Sequence, residues 1–267
     1  MLFKGFIQRN RPSLSVDDVA TGEIHQRVMA QSWWPLGVDN LFSFSGDLDY
    51  LRRTLPVVDR SLEWTASRYD PADGLFHCKP EPAHGSEGSD CGGPGMDWVD
   101  WSVSRASGKT FNFELWHAYT LQRIAALHEE FAQPPHAFGN ASAAKVYRAR
   151  AARITDQLRR RYWVEAGEQT AHWSTNYPGL FKDELWFDDQ VWANYFKLSN
   201  ATQAAAIYTA LSTDPEPGTK SCKGRAGPTT CDPEGVPTKW NNRSKAGRDA
   251  ETWFGRNGAA NIMARFA

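Results

Sequence analysis

Two short segments of this chain combine acidic and aromatic side chains. The first, residues 95–101 (GMDWVDW), follows a glycine-rich loop, and the second, residues 183–192, has the sequence DELWFDDQVW. Flat indole faces cover the apolar C–H face of a pyranose ring, whereas carboxylates bind hydroxyl groups and transfer protons. These residue types therefore indicate a carbohydrate site that is capable of acid–base chemistry.

Within these segments Asp97 is the candidate base or hydroxyl ligand, and Glu184 is the candidate acid. An aromatic neighbour such as Trp186 raises the pKa of a carboxyl group and so favours the acid role for Glu184. Inverting glycosidases place their acid and base about 6.5–9.5 Å apart, which leaves room for a water molecule. The substrate-binding candidates are Trp98, Asp100, Trp101, Asp189, Trp186 and Trp173.

Each of these residues also has a structural interpretation. Either Asp97 or Asp100 could cap the helix that follows, and one of Asp188 and Asp189 could cap another. Trp98 could fill the core instead of stacking on a sugar.

The sequence contains no motif that is typical of metal, serine-hydrolase or nucleotide chemistry. The seven histidines show no HxxxH or HExxH spacing, and the chain contains no GxSxG, P-loop or GxGxxG motif. We therefore predict no metal and no cofactor. The formal net charge of −1 gives no indication of nucleic acid, and no apolar run approaches eighteen residues. The predicted partner is a carbohydrate, with neither a nucleic acid nor a membrane.

Two sequence features indicate a secreted protein. The cysteines form two local pairs, Cys78 with Cys91 and Cys222 with Cys231, and each pair spans a Gly/Pro-rich stretch that a disulfide would staple. Glycosylation sequons begin at Asn140, Asn200 and Asn242. Because the first ten residues lack the apolar core of a signal peptide, we expect that the signal segment is not present in this chain.

Helical periodicity dominates the sequence and predicts an all-α fold in one domain, residues 1–267, with irregular stretches at 1–32 and 212–240. Short strand candidates occur only near 74–77 and 170–173. Breakers such as Pro134-Pro135 and the turn sequence of residues 70–74, DPADG, separate the helices. The predicted helices span about 47–69, 112–131, 141–163, 188–198, 201–211 and 247–266.

An ordered series of short motifs between about residues 33 and 212 resembles the six-hairpin (α/α)-toroid glycosidases, most closely the α-L-rhamnosidase-like catalytic domain. The motifs that carry the resemblance are residues 46–53 (GDLDYLRR), 55–62 (LPVVDRSL), Asp97-Trp98, 147–163 and 188–191 (DDQV). The resemblance implies an (α/α)6-type toroid, partial or short. It also implies inverting two-carboxylate hydrolysis of a plant or microbial glycan.

The chain departs from that family at two places. The family's acid-bearing motif, DCPxRxExxxWxGD, has no counterpart in residues 1–45, where Asp39 is the only acidic candidate. In addition, Trp240 is followed by Asn241 where the family has a glutamate. These departures keep open a non-catalytic sugar-binding or scaffold module on the same fold. A polysaccharide lyase that uses His117, Tyr119 and Asn112 is a further alternative, as is a helical-repeat protein, although no repeat period is present.

Overall fold

The computed structural model describes residues 30–77, 109–165, 171–174, 176–177, 185–213, 236–237, 239–240 and 253–254. The chain divides into two compact units. The first comprises Met1–Asp97 and Trp116–Asp156, and the second comprises Trp98–Leu115 and Gln157–Ala267. In the described ranges, no helix combines the length and the apolarity that crossing a membrane requires.

Within the described residues, the first unit begins with two packed helices, α1 (Ala30–Ser45) and α2 (Leu48–Ala66). α2 forms because its apolar residues recur every three or four positions, and this stripe is buried. The side chain of Asp47 caps the helix by accepting a hydrogen bond from the Tyr50 amide at 2.9 Å. The chain then turns at residues 70–74, where the Gly74 amide donates to the Asp70 carbonyl and Gly74 takes a φ of 77°.

Two longer helices follow, α3 (Phe111–Phe131) and α4 (Ala141–Arg161). α3 is buried along most of its length and carries buried polar side chains as well as apolar ones. α4 is amphipathic. Its buried stripe consists of Tyr147, Ala151, Ile154 and Leu158 and continues to Tyr162 just beyond the helix.

The second unit contains short antiparallel strand pairs and two further helices, α5 (Phe187–Tyr195) and α6 (Ala201–Thr213). The strands are β1 (Lys109–Thr110), β2 (Trp163–Val164), β3 (His172–Trp173), β4 (Asn176–Tyr177), β5 (Leu185–Trp186), β6 (Val236–Pro237), β7 (Lys239–Trp240) and β8 (Trp253–Phe254). β1 pairs with β4, β2 with β3, β5 with β7 and β6 with β8.

α6 begins with a reciprocal capping box, as the sequence predicted. The Asn200 side chain accepts from the Gln203 amide at 2.9 Å, and the Gln203 side chain accepts from the Asn200 amide at 3.0 Å. The two exchanged bonds satisfy backbone donors at the start of the helix.

The structure confirms the mainly helical class and five of the predicted helices, whose ends shift by a few residues. Two details were wrong. Helix α1 was not predicted, and it begins inside the stretch 1–32 that was expected to be irregular. Its internal Pro35 explains why it was missed, since proline normally interrupts a helix. Trp253–Phe254 form strand β8 where a helix over 247–266 was expected.

Other expectations are corrected or stay outside the described ranges. Within 212–240, residues 212–213 are helical and residues 236–237 and 239–240 form strands. Residue 163, expected at the end of a helix, belongs to β2. Strand β3 lies within the stretch 170–173 where a strand was predicted. The other two-residue strands are too short to produce an alternating pattern, so sequence periodicity did not reveal them. All four cysteines, and with them the predicted disulfides, lie outside the described residues.

Candidate functional site

Helices α3 and α5 both begin within the second unit and start with the same local arrangement, which we call the strand–helix junction. In each junction a two-residue strand runs directly into a helix: β1 into α3 and β5 into α5. Both helices begin with phenylalanine, and the fourth helical residue of each is a fully buried polar side chain, Glu114 in α3 and Gln190 in α5. The junctions thus place polar groups inside the second unit at the starts of helices.

Gln190 holds strand β3 by its backbone. The Gln190 Oε1 atom accepts from the Trp173 amide, and its Nε2 atom donates to the Trp173 carbonyl, both at 2.8 Å. The Ser174 amide donates to the Tyr162 carbonyl at 2.8 Å, which makes Trp163–Trp173 a non-hydrogen-bonded pair of the β2–β3 ladder. The backbone groups of Trp173 therefore point away from β2, and Gln190 takes the place of a neighbouring strand.

Trp173 is a packing residue in this structure. Its side chain is fully buried, stacked on Phe111 at 5.4 Å between ring centroids and in edge contact with Trp163 at 5.0 Å. Its indole Nε1–H donates to the Ser199 hydroxyl at 2.9 Å. Stacking on a sugar needs an accessible indole face. The observed position therefore contrasts with the sugar-stacking role expected from the sequence.

The structure brings other predicted residues close to this junction. Asp189 is buried in the first turn of α5, immediately before Gln190, and Trp186 lies in β5, where its backbone partner is Lys239. Helix α5 contacts β3, β5 and β7, so these elements form one cluster within the second unit. Glu184 directly precedes β5 in sequence. Asp97, Trp98, Asp100, Trp101 and Glu184 themselves lie outside the described residues.

The acidic candidate of the N-terminal region, Asp39, is occupied by an ion pair in the first unit. Its carboxylate is almost fully buried and accepts from Arg123 through two atoms, Nε at 2.8 Å and Nη2 at 3.2 Å. The hydrogen bond to Asp39 raises the pKa of Arg123. This two-atom pairing is a strong, geometrically specific contact, and it gives Asp39 a structural role.

His117 in the first unit is held as a neutral imidazole. It is fully buried, and its Nε2 atom lies 2.6 Å from the hydroxyl oxygen of Tyr69. Burial, reinforced by the charge of Arg150, lowers the pKa of His117 from 6.5 to about 3. A histidine with so low a pKa is a weak base near neutral pH, which counts against the lyase alternative in which His117 removes a proton.

A second histidine of the first unit completes a structural network. The Asp59 Oδ1 atom accepts from the Tyr147 hydroxyl at 2.8 Å and lies 2.7 Å from the Nε2 atom of His128. The Asn140 amide donates to the Nδ1 atom of His128 at 3.0 Å. Because a backbone N–H can only donate, Nδ1 must be the accepting nitrogen, and Nε2 carries the hydrogen toward Asp59. The network joins α2, α3 and the start of α4.

The described ranges contain no candidate metal site, because no group of three or more His, Cys, Asp or Glu side chains in them is arranged to hold an ion.

The sequence did not reveal the backbone-holding role of Gln190. It placed this residue only within the acidic-aromatic segment 183–192 and within the segment 188–191 that resembles a helix start. An amide in the first turn of a helix, directly after two acids and directly before an apolar residue, was the available signal. It did not indicate the partner, because β3 lies 17 residues away along the chain.

Comparisons with known proteins find similarity in fold. No protein-family model matches the chain, and no curated protein matches it. A rhamnosidase from Klebsiella oxytoca, solved with rhamnose bound, has a TM-score of 0.51 and 17% sequence identity over 71% of this chain and 31% of its own. A GH78 family rhamnosidase of Bacillus sp. GL1 has a TM-score of 0.55 and 18% identity over 74% of this chain and 19% of its own.

The chain spans about a third and a fifth of the lengths of these two proteins. The identities are low, so the likeness concerns the fold alone. It confirms the predicted fold: this chain has a mainly α-helical fold that is similar to that of rhamnosidase domains.

Proposed function

We propose that this chain belongs to a glycoside hydrolase that acts on a rhamnose-containing glycan of plant or microbial origin. The observation that carries the proposal is the structural similarity to two rhamnosidases, one of them solved with rhamnose bound. Because the chain spans only part of each neighbour, the activity is a proposal for this chain and is tested on the chain itself.

The proposed reaction is an inverting hydrolysis with two carboxyl groups. Glu184 donates its proton to the glycosidic oxygen as the bond to the anomeric carbon breaks. Asp97 takes a proton from the water molecule whose oxygen attacks that carbon from the opposite face. The sugar leaves with inverted configuration, and the two carboxyl groups have exchanged protonation states.

The place of Glu184 in the sequence, directly before β5, supports its assignment. The next residue along the chain, Leu185, is paired with Trp240 in the β5–β7 ladder, and β5 also contacts α5. Glu184 is therefore adjacent in sequence to a strand that is paired within the second unit. Trp98, Asp100, Trp101, Trp186 and Asp189 remain the proposed substrate-binding residues.

The test is hydrolysis of a panel of aryl glycosides, beginning with the α-L-rhamnoside, by wild type, Asp97→Asn and Glu184→Gln. Removing a general acid or base costs about 10²–10⁴-fold in rate. The matched control is Glu130→Gln, an exposed acid on α3 that should retain full activity. Proton NMR of the first-formed sugar should show the anomer opposite to that of the substrate.

Activity that survives both substitutions with less than a tenfold loss would reject the assigned residues. Product with retained configuration would reject the inverting mechanism while keeping the hydrolase.

The second candidate function is a non-catalytic carbohydrate-binding module on the same fold. The pairing of Asp39 favours this alternative, since the acidic candidate in the region of the family's acid motif is engaged by Arg123. This alternative expects saturable quenching of tryptophan fluorescence by rhamnose or a rhamnose-containing oligosaccharide, with no aryl glycoside cleaved by the folded wild type.

A further inference from the structure

We propose that Asn140 and Asn200 are acceptor sites for N-linked glycans, with the side-chain oxygen of each residue capping a helix while its nitrogen carries the sugar. Both residues begin sequons, Asn140-Ala141-Ser142 and Asn200-Ala201-Thr202. The proposal does not depend on the glycosidase activity, because both sites are defined by their own local geometry.

The two side chains use only their oxygens. The Asn140 Oδ1 atom accepts from the amides of Ser142 and Ala143, both at 3.0 Å. The Asn200 Oδ1 atom accepts from the Gln203 amide at 2.9 Å. In the described part of the chain, neither Nδ2 atom makes a hydrogen bond.

Access to the acceptor nitrogens is open. Asn140 and Asn200 are exposed, and so are the hydroxyl residues of their sequons, Ser142 and Thr202. Because Oδ1 faces the first turn of the helix, Nδ2 is the polar side-chain atom that remains available for attachment of a sugar. A sequon in which Nδ2 was buried or hydrogen-bonded would have to give up those contacts on modification, and these two do not.

The chemistry is a glycosyl transfer from a lipid pyrophosphate-linked oligosaccharide. The bond between the anomeric carbon and the pyrophosphate oxygen breaks, and a bond from that carbon to Nδ2 forms. One amide proton is lost, and the lipid pyrophosphate leaves. The primary amide becomes a secondary amide whose Oδ1 accepts hydrogen bonds as before, so the attached glycan leaves both helix caps in place.

The test expresses the full chain behind a cleavable secretion signal in yeast. The background carries Asn242→Gln, which removes the third sequon, at a residue outside the described ranges. Peptide N-glycosidase in water enriched in heavy oxygen converts each glycosylated asparagine to a labelled aspartate, which mass spectrometry locates. We expect labels at Asn140 and Asn200. Ser142→Ala should remove the first label, Thr202→Ala the second, and the double variant both.

A chain that enters the secretory pathway without a label at either site, while a co-expressed secreted glycoprotein is modified, would overturn the proposal. A second measurement tests the geometry on unglycosylated protein made in bacteria. Asn140→Gln should lower Tm relative to Ser142→Ala, because only the first loses the cap, whereas Asn140→Asp should keep it. Equal Tm values for Asn140→Gln and Ser142→Ala would remove the argument that Oδ1 is committed to the cap.

Discussion

Replacing Gln190 by methionine should destabilise the second unit strongly while leaving the packing volume almost unchanged. Gln190 is fully buried, and its amide makes one accepted and one donated hydrogen bond to the backbone of Trp173. Methionine has a similar length but no comparable hydrogen-bonding groups. The substitution therefore isolates the hydrogen bonds from the shape of the side chain.

The magnitude follows from the partners left behind. The Trp173 N–H and C=O point away from β2, so the β2–β3 ladder cannot satisfy them after the change. Each buried backbone group left without a partner costs about 1–3 kcal/mol. The two groups together predict a loss of about 2–6 kcal/mol in the free energy of unfolding. Gln190→Glu should also destabilise, because an ionised carboxylate cannot donate to the Trp173 carbonyl.

The assay is urea denaturation followed by tryptophan fluorescence, with Gln122→Met as the matched control. Gln122 is an exposed residue of α3, and its replacement should change stability by no more than about 0.5 kcal/mol. The reasoning would be refuted if Gln190→Met lost no more stability than Gln122→Met. That result would mean that water reaches the Trp173 backbone or that β3 can leave α5 at little cost.

Three further tests address the first unit. His117 has a folded pKa of about 3, below the unfolded value of about 6.5. Its contribution to stability is therefore complete above pH 6.5 and is lost on acidification by up to about 1.4 kcal/mol per pH unit. Urea midpoints measured between pH 7 and 4 should fall less steeply for His117→Gln than for the wild type. Tyr147→Phe removes a hydrogen bond to the Asp59 carboxylate and should cost about 1–3 kcal/mol in urea denaturation, whereas Asp59→Asn, which keeps an oxygen acceptor, should cost less. Gly139→Ala places a Cβ 2.6 Å from a backbone carbon of α3 and should lower the free energy of unfolding by at least about 3 kcal/mol, measured by thermal unfolding. Gly46→Ala should lower it by about 1 kcal/mol, because Gly46 has open space around it but a φ of 63°. Parallel pH profiles, no effect of Tyr147→Phe, or equal losses for the two glycines would contradict the respective arguments.

Sequence periodicity was sufficient for the long helices because their core residues repeat within one element. The stripe of α2 and that of α4 could be recognised from spacing alone, and both are buried. The caps were equally local, since Asp47 and Asn200 bond to amides within three residues. These features depend on interactions over one helical turn, which the sequence displays directly.

The site depends on contacts that the sequence does not display. Trp173 lies in a polar-aromatic stretch that suggested a binding surface, yet its ring is covered by Phe111, 62 positions earlier along the chain. Asp39 was the only acidic candidate for the family's acid motif in residues 1–45, but only the structure reveals its pairing with Arg123. Residue type identified groups that are able to do chemistry, whereas burial and long-range partners determine which of them are committed to the fold.

The two strand–helix junctions of the second unit illustrate that distinction at equivalent positions. Gln190 is an amide, so it can accept from one backbone group and donate to another, and Trp173 occupies both capacities. Glu114 stands at the same helical position of α3 and is just as buried, but it carries a carboxyl group in place of the amide. Its position in the first turn of a helix favours a negative charge, because the amide groups there present positive partial charge. The same local backbone plan thus supports a neutral clamp in α5 and an acidic group in α3, and the identity of one side chain sets the chemistry of each junction.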